Sequence, residues 1–234
     1  LCALLAALQL LRVCVALARA AARRRLPCDC ALLLGGRVPR TGGLACPASL
    51  TRPCRDEQRE RLAAALLAGT ASAEACVAGA PGSTARDAAL RACANATSLP
   101  LIVSSAALRG VAPFVTAGIA RSRVTADDSA TDTVSNMTTT LPLLRAPRAR
   151  HVLVLTSEPH AARAAAVAAL TLGSCGLGTT VVPLASPGAA ESRLRLARDV
   201  ARAALWALCG VHFGSLGRMA HPERFRHLDA RRRT

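Results

Sequence analysis

The chain contains no lysine and no tyrosine, and its aromatic side chains are three phenylalanines and one tryptophan among 234 residues. A core without aromatic volume has to be filled by Ala, Leu and Val. All 30 basic residues are arginine, against 14 acids, for a formal net charge of +16. Such a charge invites a nucleic-acid reading through counterion release. The distribution argues against it. The arginines are scattered, the runs at residues 23–25 and 231–233 lie near chain ends, and no aromatic residues interleave them as a single-strand stacking surface requires. Arg without Lys beside abundant Ala reads as a coding bias, and no nucleic-acid partner is expected.

Other absences exclude chemistry. Ten cysteines are present, yet there is no C-x-x-C and no Cys/His set with zinc-ligand spacing, so no metal site is expected. A complete G-x-G-x-x-G and a phosphate-binding loop are also missing, which argues against a conventional dinucleotide oxidoreductase or nucleoside triphosphatase. Cys46, Cys54, Cys76 and Cys93 lie together and suit two disulfides in an oxidising space. Buried free thiols in an Ala-rich core are the alternative. Asn95 and Asn136 head glycosylation triplets, which also arise by chance.

No acid precedes Asp29, and residues 1–22 are apolar apart from Gln9, Arg12 and Arg19. An Arg at mid-span costs about 2.5–3.5 kcal/mol on an insertion scale, which counts against a simple membrane span. Residues 1–28 read instead as the end of a longer anchor or an Arg-rich targeting segment, with an ordinary packing helix as the alternative. Membrane association through residues 1–22, and a membrane-associated or organelle-targeted location, follow from the first reading. The Arg cluster at 23–25 would keep the following domain on the cytoplasmic side, whereas disulfides and glycosylation triplets point to the opposite side.

With 52% hydrophobic and 19% charged residues, the chain has the composition of a folded domain. The compact apolar run at 31–34 and short segments at 101–103, 123–125, 151–155 and 179–183 read as strands. Helical patterns at 56–68, 83–94, 113–117, 135–144, 161–172 and 191–208 alternate with them, and Ser83 or Thr84 suits an N-cap. Residues 37–54, rich in Gly, Pro and Cys, read as a long loop. The alternation predicts an α/β fold, a mainly parallel sheet of about five strands covered on both faces.

Binding sites in such sheets lie at the carboxyl ends of the strands. The polar clusters fall there: Gly35-Gly36 after the first strand, Ser104-Ser105 after the second, Asp127 and Asp128 after the third, and Thr156, Ser157 and His160 after the fourth. Glycines let backbone approach a ligand, hydroxyls and amides hold oxyanions, and helix starts add positive potential. For Gly35-Gly36 a plain turn is the alternative. Thr133 and Asn136, three apart, share a face if their helix begins at Thr131 or Asp132, with ordinary N-capping as the competing role of this acid-rich stretch. Thr156 and Ser157 should stop the fourth strand, and His160 and Arg163 then share one face of the next helix. His160, with an ordinary pKa of about 6.5, can act as acid, base or neutral ligand. Arg163 can fork onto a carboxylate or phosphate. For both, a solvated helix start is the alternative.

ALLLGG at 31–36, the D-x-x-x-x-D-T-x-x-N run from Asp127 to Asn136 and VLVLTSEPHAARA at 152–164 resemble the YdcF/SanA/ElyC-like family. Its pattern has an acid six before a Thr, an Asn three after it, and then V-T-S-x-x-H-x-x-R-A. Asp127, Thr133 and Asn136 match the first set; Thr156, Ser157, His160, Arg163 and Ala164 match the second. GIARSRV at 118–124 resembles the family's lead-in to the acidic strand. The chain departs from the pattern after its second strand, where Ser104-Ser105-Ala106, or Ala78-Gly79-Ala80 after Cys76-Val77, stands for the family's S-G-G. The usual acid opening the next helix has no clear match, and Asp127 replaces a Glu.

The resemblance covers roughly residues 29–185 and implies a Rossmann-like three-layer domain; the chain then divides into that domain at 29–210, with a Cys-containing insertion within about 37–98, and a basic tail at 211–234. It also implies a small anionic or nucleotide-like ligand, with S-adenosylmethionine among the candidates, and it names no reaction. Gly35, Gly36 and Ser157, with Ser104, Ser105, Thr133 and Thr156, would line the ligand; Asp127 and Asn136 would hydrogen-bond it; His160 and Arg163 would handle anionic charge or a proton. The second expectation is a non-catalytic, membrane-associated accessory protein of envelope or polysaccharide maturation with a vestigial site.

Overall fold

The computed structural model describes residues 2–35, 55–105, 110–145, 148–186 and 190–210. Along the chain run α1 (Cys2–Arg23), β1 (Cys30–Leu33), α2 (Arg55–Ala68), α3 (Ala73–Cys76), α4 (Thr84–Ala92), β2 (Leu101–Ser104), α5 (Ala112–Thr116) and β3 (Val124–Asp127). They are followed by α6 (Thr133–Thr138), α7 (Leu141–Arg145), β4 (His151–Ser157), α8 (Ala161–Ser174), β5 (Gly178–Leu184) and α9 (Arg193–Cys209). The strands form one all-parallel sheet in the order β3-β2-β1-β4-β5. This is the parallel α/β architecture expected from the alternation, in a three-layer, Rossmann-like form.

Side-chain alternation along each strand builds two cores. Ala31, Leu33, Leu101, Val103, Leu153 and Leu155 face α2 to α5. Leu32, Ile102, Val152 and Val154 face α6, α7, α8 and Ala203 of α9. Burial of each Leu or Val stabilises the fold by about 1.5–3 kcal/mol relative to leaving it exposed. Changing the helical face between β3 and β4 follows from right-handed crossovers: the chain moves outward from β1 to β3, then returns past β1 to β4. At β1 the direction of winding reverses, the position at which open α/β sheets as a class take ligands at their strand carboxyl ends.

Local differences from the sequence reading have physical causes. Thr156 and Ser157 do not stop β4; both pair in register with β5, as Thr156 with Pro183 and Ser157 with Leu184. The single helix expected over 135–144 is two, α6 and α7. Pro142 brings no N–H, and the Thr139 and Thr140 hydroxyls bond back to Ser135 O at 2.7 Å and Asn136 O at 2.8 Å, closing α6. The alternative second strand at Cys76-Val77 is excluded: Cys76 ends α3 and Val77 makes only an isolated antiparallel bridge to Leu184. The last helix begins at Arg193, which leaves Glu191 outside it. Ser83 is the N-cap of α4.

The N-terminal segment, read first as an anchor, is a 22-residue helix lying on α8, β5 and α9, with Val13 and Ala20 buried. Close approach is possible because residue 173 is Gly; a Cβ there would stand 3.1 Å from Leu17 Cδ2. Arg23 closes the contact by donating to Gly176 O at 2.8 Å, just past the carboxyl end of α8. No described helix is long and apolar enough to cross a membrane. His151 ties the same region together, with ring nitrogens 2.6 Å from Leu26 O and 2.9 Å from Thr180 Oγ1. Among the described cysteines, Cys28, Cys30, Cys76 and Cys93 are buried free thiols. Cys46 and Cys54, Gly36, the loop at 37–54 and the tail at 211–234 lie outside the described residues.

Candidate functional site

Gly35 occupies the point of reversal. Leu33 is level with Val103 on one side and Leu155 on the other, so two residues on Gly35 is level with Ser105 and Ser157. A Cβ on Gly35 would stand 2.2 Å from Ser104 O and 2.5 Å from Ser105 Cβ, so backbone meets backbone here with no room for a side chain. Ser105 itself has φ +58°, in the left-handed region that favours Gly.

On one side of Gly35 the polar residues are bonded to one another. Ser104 Oγ lies 3.3 Å from Asp127 Oδ2 and 3.2 Å from Asn136 Oδ1, sharing one proton between them. Ser105 Oγ lies 2.8 Å from Asn136 Oδ1 and 3.0 Å from Ala130 O. Asp127 Oδ1 accepts from the Ser129 N–H at 3.0 Å and from the Ser129 hydroxyl, and Oδ2 lies 2.6 Å from the Thr139 hydroxyl, whose one proton it shares with Ser135 O. Asp127 is therefore occupied by its own loop and helix. Asn136 gives its Oδ1 to the two serines, which leaves the Nδ2 donors outside that cluster. Thr133 is half-buried at the first turn of α6, and Thr156 is buried in β4.

What orients α6 is its start. Asp132 accepts from Ser135 N at 2.9 Å, and Ser135 Oγ accepts from Asp132 N at 2.8 Å, a reciprocal capping box. Burial pushes the Asp132 carboxyl up, but the Ser135 N–H and the Arg202 guanidinium at 2.8 Å outweigh it and hold it below the ordinary carboxylate range.

On the other side of Gly35 stands an ion-pair chain. His160 ends a 3-10 turn (Glu158–His160) and is the N-cap of α8; Arg163 lies in the first turn of that helix. Glu191 Oε1 is 2.5 Å from His160 Nδ1 and 2.6 Å from Arg163 Nη2. The second guanidinium nitrogen of Arg163 meets Asp199 Oδ2 at 2.9 Å, and Asp199 Oδ1 receives Arg198 at 2.9 Å and Arg202 at 3.6 Å. Arg202 returns to Asp132, so the two halves of the site are joined by charge: Arg163, Asp199, Arg202, Asp132. The pairing on Asp199, whose side chain is 1% exposed, raises the Arg198 pKa.

Arg163 is thus spent on two protein carboxylates and is not an open anion clamp. His160 is half-buried and lies below its ordinary pKa: burial is the largest cause, Glu191 opposes it, and Arg163 and Arg59 reinforce it. Arg59 of α2 is a fully buried side chain whose charge reaches the imidazole. Ser157 is fully buried, and its Oγ has no hydrogen-bond partner among the described residues; Glu191 Oε2 is in the same condition. By alternation Ser157 faces the α2 side of the sheet, together with Leu155.

The structure therefore brings Gly35, Ser104, Ser105, Asp127, Asn136, Ser157, His160 and Arg163 to one edge of the sheet. Glu191, Asp199, Arg202 and Arg59 are site residues the sequence reading missed. Glu191 sits where a helix was expected to begin, and Arg59 lies in a charged run that resembles a solvated helix face. A groove of about 480 Å³ lies elsewhere, between α2 and α5, lined by residues including Glu57, Glu60, Arg61 and Thr116. It contains none of the expected site residues. Among the described residues no set of three or more His, Cys, Asp and Glu is arranged to hold a metal ion. No protein-family model matches the chain, and no significant match is found among curated proteins or solved structures.

Proposed function

We propose that the chain is a small-molecule-binding α/β domain of the YdcF/SanA/ElyC-like type, whose ligand is phosphorylated or nucleotide-like, S-adenosylmethionine being one candidate. The observation that carries this reading is the conjunction, at the winding reversal, of a Gly35 with no space for a Cβ and a buried Ser157 hydroxyl with no partner among the described residues. An orphaned buried hydroxyl costs about 1–3 kcal/mol and persists where function requires it. The site favours an anionic group there: Ser157 precedes the positive end of α8, and the buried Arg59 lies on the facing helix. Asn136 Nδ2 is the donor on the opposite side. The left-handed Ser105 supports the family assignment, since a Gly of the S-G-G pattern would adopt that conformation without strain.

A thermal-shift screen with inorganic phosphate, nucleotides and S-adenosylmethionine tests the reading. At least one should stabilise the wild-type chain. Ser157→Ala should leave the free protein as stable or slightly more so, because it removes an unsatisfied buried group, while weakening ligand binding by roughly tenfold. No shift with any of these compounds would sink the proposal.

The membrane-associated accessory reading is favoured by one observation. The outer face of α1 exposes Leu8, Leu11 and Val15, with Arg12 and Arg19 alongside, as in a helix that lies on an anionic bilayer surface. Co-sedimentation with vesicles of anionic phospholipid, lost in a Leu8→Asp/Leu11→Asp variant, is the result expected from it.

A further inference from the structure

We propose that Glu191 is a positioning residue that makes His160 a proton acceptor toward a ligand carrying an ionisable O–H or N–H. This deepens the ligand-binding reading above and rests on it. Glu191 Oε1 lies 2.5 Å from Nδ1, whereas Arg163 Nη2, which can only donate, lies 3.5 Å from the same nitrogen, at the outer limit of a hydrogen bond; the shorter contact places the ring proton of a neutral imidazole on Nδ1 and leaves the lone pair on Nε2. Glu191 is itself fixed, because Arg163 holds the same oxygen at 2.6 Å and is anchored in turn on Asp199 at 2.9 Å. The carboxylate is 10% exposed and the imidazole 29%, so the orienting group is the more shielded of the two. In the step assigned, the ligand's O–H or N–H bond breaks, its proton passes to Nε2, and the electron pair stays on the ligand as an anion. The imidazolium formed is paired with Glu191.

A His–Glu contact can also be a plain ion pair, with the imidazole already protonated and unable to accept. The surrounding charges oppose that state. Arg163 of α8 and Arg59 of α2 both repel an imidazolium, burial disfavours it, and Glu191 from the β5–α9 connection does not reverse the balance, since His160 stays below its ordinary value. Glu158, on the same turn, is exposed. The arginines thereby keep the dyad in its accepting form near neutral pH.

Nitrogen-15 NMR of the full chain labelled at histidine tests this without any ligand, so its failure is separable from failure of the binding reading. At pH 7 the His160 ring should be neutral with its proton on Nδ1. Glu191→Gln, which removes the opposing charge and keeps the shape, should lower the pH at which His160 titrates. Carbethoxylation by diethyl pyrocarbonate at pH 7, mapped by mass spectrometry, should modify Nε2 of His160 roughly tenfold faster than His151, whose two nitrogens are both engaged. A doubly protonated ring at pH 7, a proton on Nε2, or an unchanged titration in Glu191→Gln would each overturn the proposal. If Glu191→Gln does not fold, the wild-type tautomer and reactivity decide.

Discussion

Single residues at the carboxyl edge of the sheet carry consequences that their neighbours make measurable. Gly35→Ala would bring a Cβ to 2.2 Å from the Ser104 carbonyl, a backbone atom that cannot move as a side chain does. The substitution should cost about 1–3 kcal/mol in urea unfolding, as overpacking does, and should weaken any ligand bound there. His160 supplies a pH dependence. Its folded-state pKa lies below its ordinary value, with burial the first cause, so the unfolded chain takes up the proton more readily. The stability it contributes is intact above about pH 6.5 and is lost as the pH falls through the folded-state value. His160→Gln should therefore flatten the stability–pH curve on the acid side of neutrality, and an unchanged curve would contradict the assignment. Gly35 and His160 were legible in the sequence because each is a residue type with a narrow repertoire. Arg163 was legible as a position but not in its role, because only the fold brings Glu191 and Asp199 to its guanidinium.

Elements are where local chemistry and site geometry meet. α6 is six residues long, too short to be stable alone, and depends on the Asp132–Ser135 capping box and on Arg202 from α9. Asp132→Ala should cost about 0.5–2 kcal/mol from the cap. Hydrogen exchange should accelerate through 133–138, and with it the positioning of Asn136 against Ser104 and Ser105 should loosen. Protection unchanged there would show that packing, not capping, holds α6. Most of the strands were readable from short apolar or β-branched segments, but their ends were not. β4 continues through Thr156 and Ser157 because β5 offers it backbone partners that far, a fact no propensity contains. The split between α6 and α7 was written in Pro142 and the adjacent threonines, and the apolar periodicity on both sides obscured it.

For the whole molecule, the cysteines report on the core. Burial pushes Cys28 up to about 11 and Cys30 and Cys93 up to about 12, and Cys76 is raised by the same cause, so at neutral pH these thiols are protonated as well as covered. Cys14 and Cys209 are exposed. A thiol reagent at pH 7.5, mapped by mass spectrometry, should label Cys14 and Cys209 quickly and the four buried thiols only on the timescale of global unfolding. Fast labelling of Cys76 or Cys93 would mean that the α2–α4 layer opens by itself.

Composition and periodicity, read alone, determined the class of fold, the approximate number of its strands and the position of all but the second, and the clustering of polar residues at their carboxyl ends. All of these depend on neighbours within about ten residues, the range over which helix and strand periods are expressed. Tertiary structure alone decided the strand order that puts Gly35 at the winding reversal. It also decided the pairing of Arg163, Asp199, Arg202 and Asp132 across three helices and the closure of Glu191 onto His160. Those contacts join residues up to 70 positions apart, and a charge in sequence carries no mark of the partner that folding will bring to it.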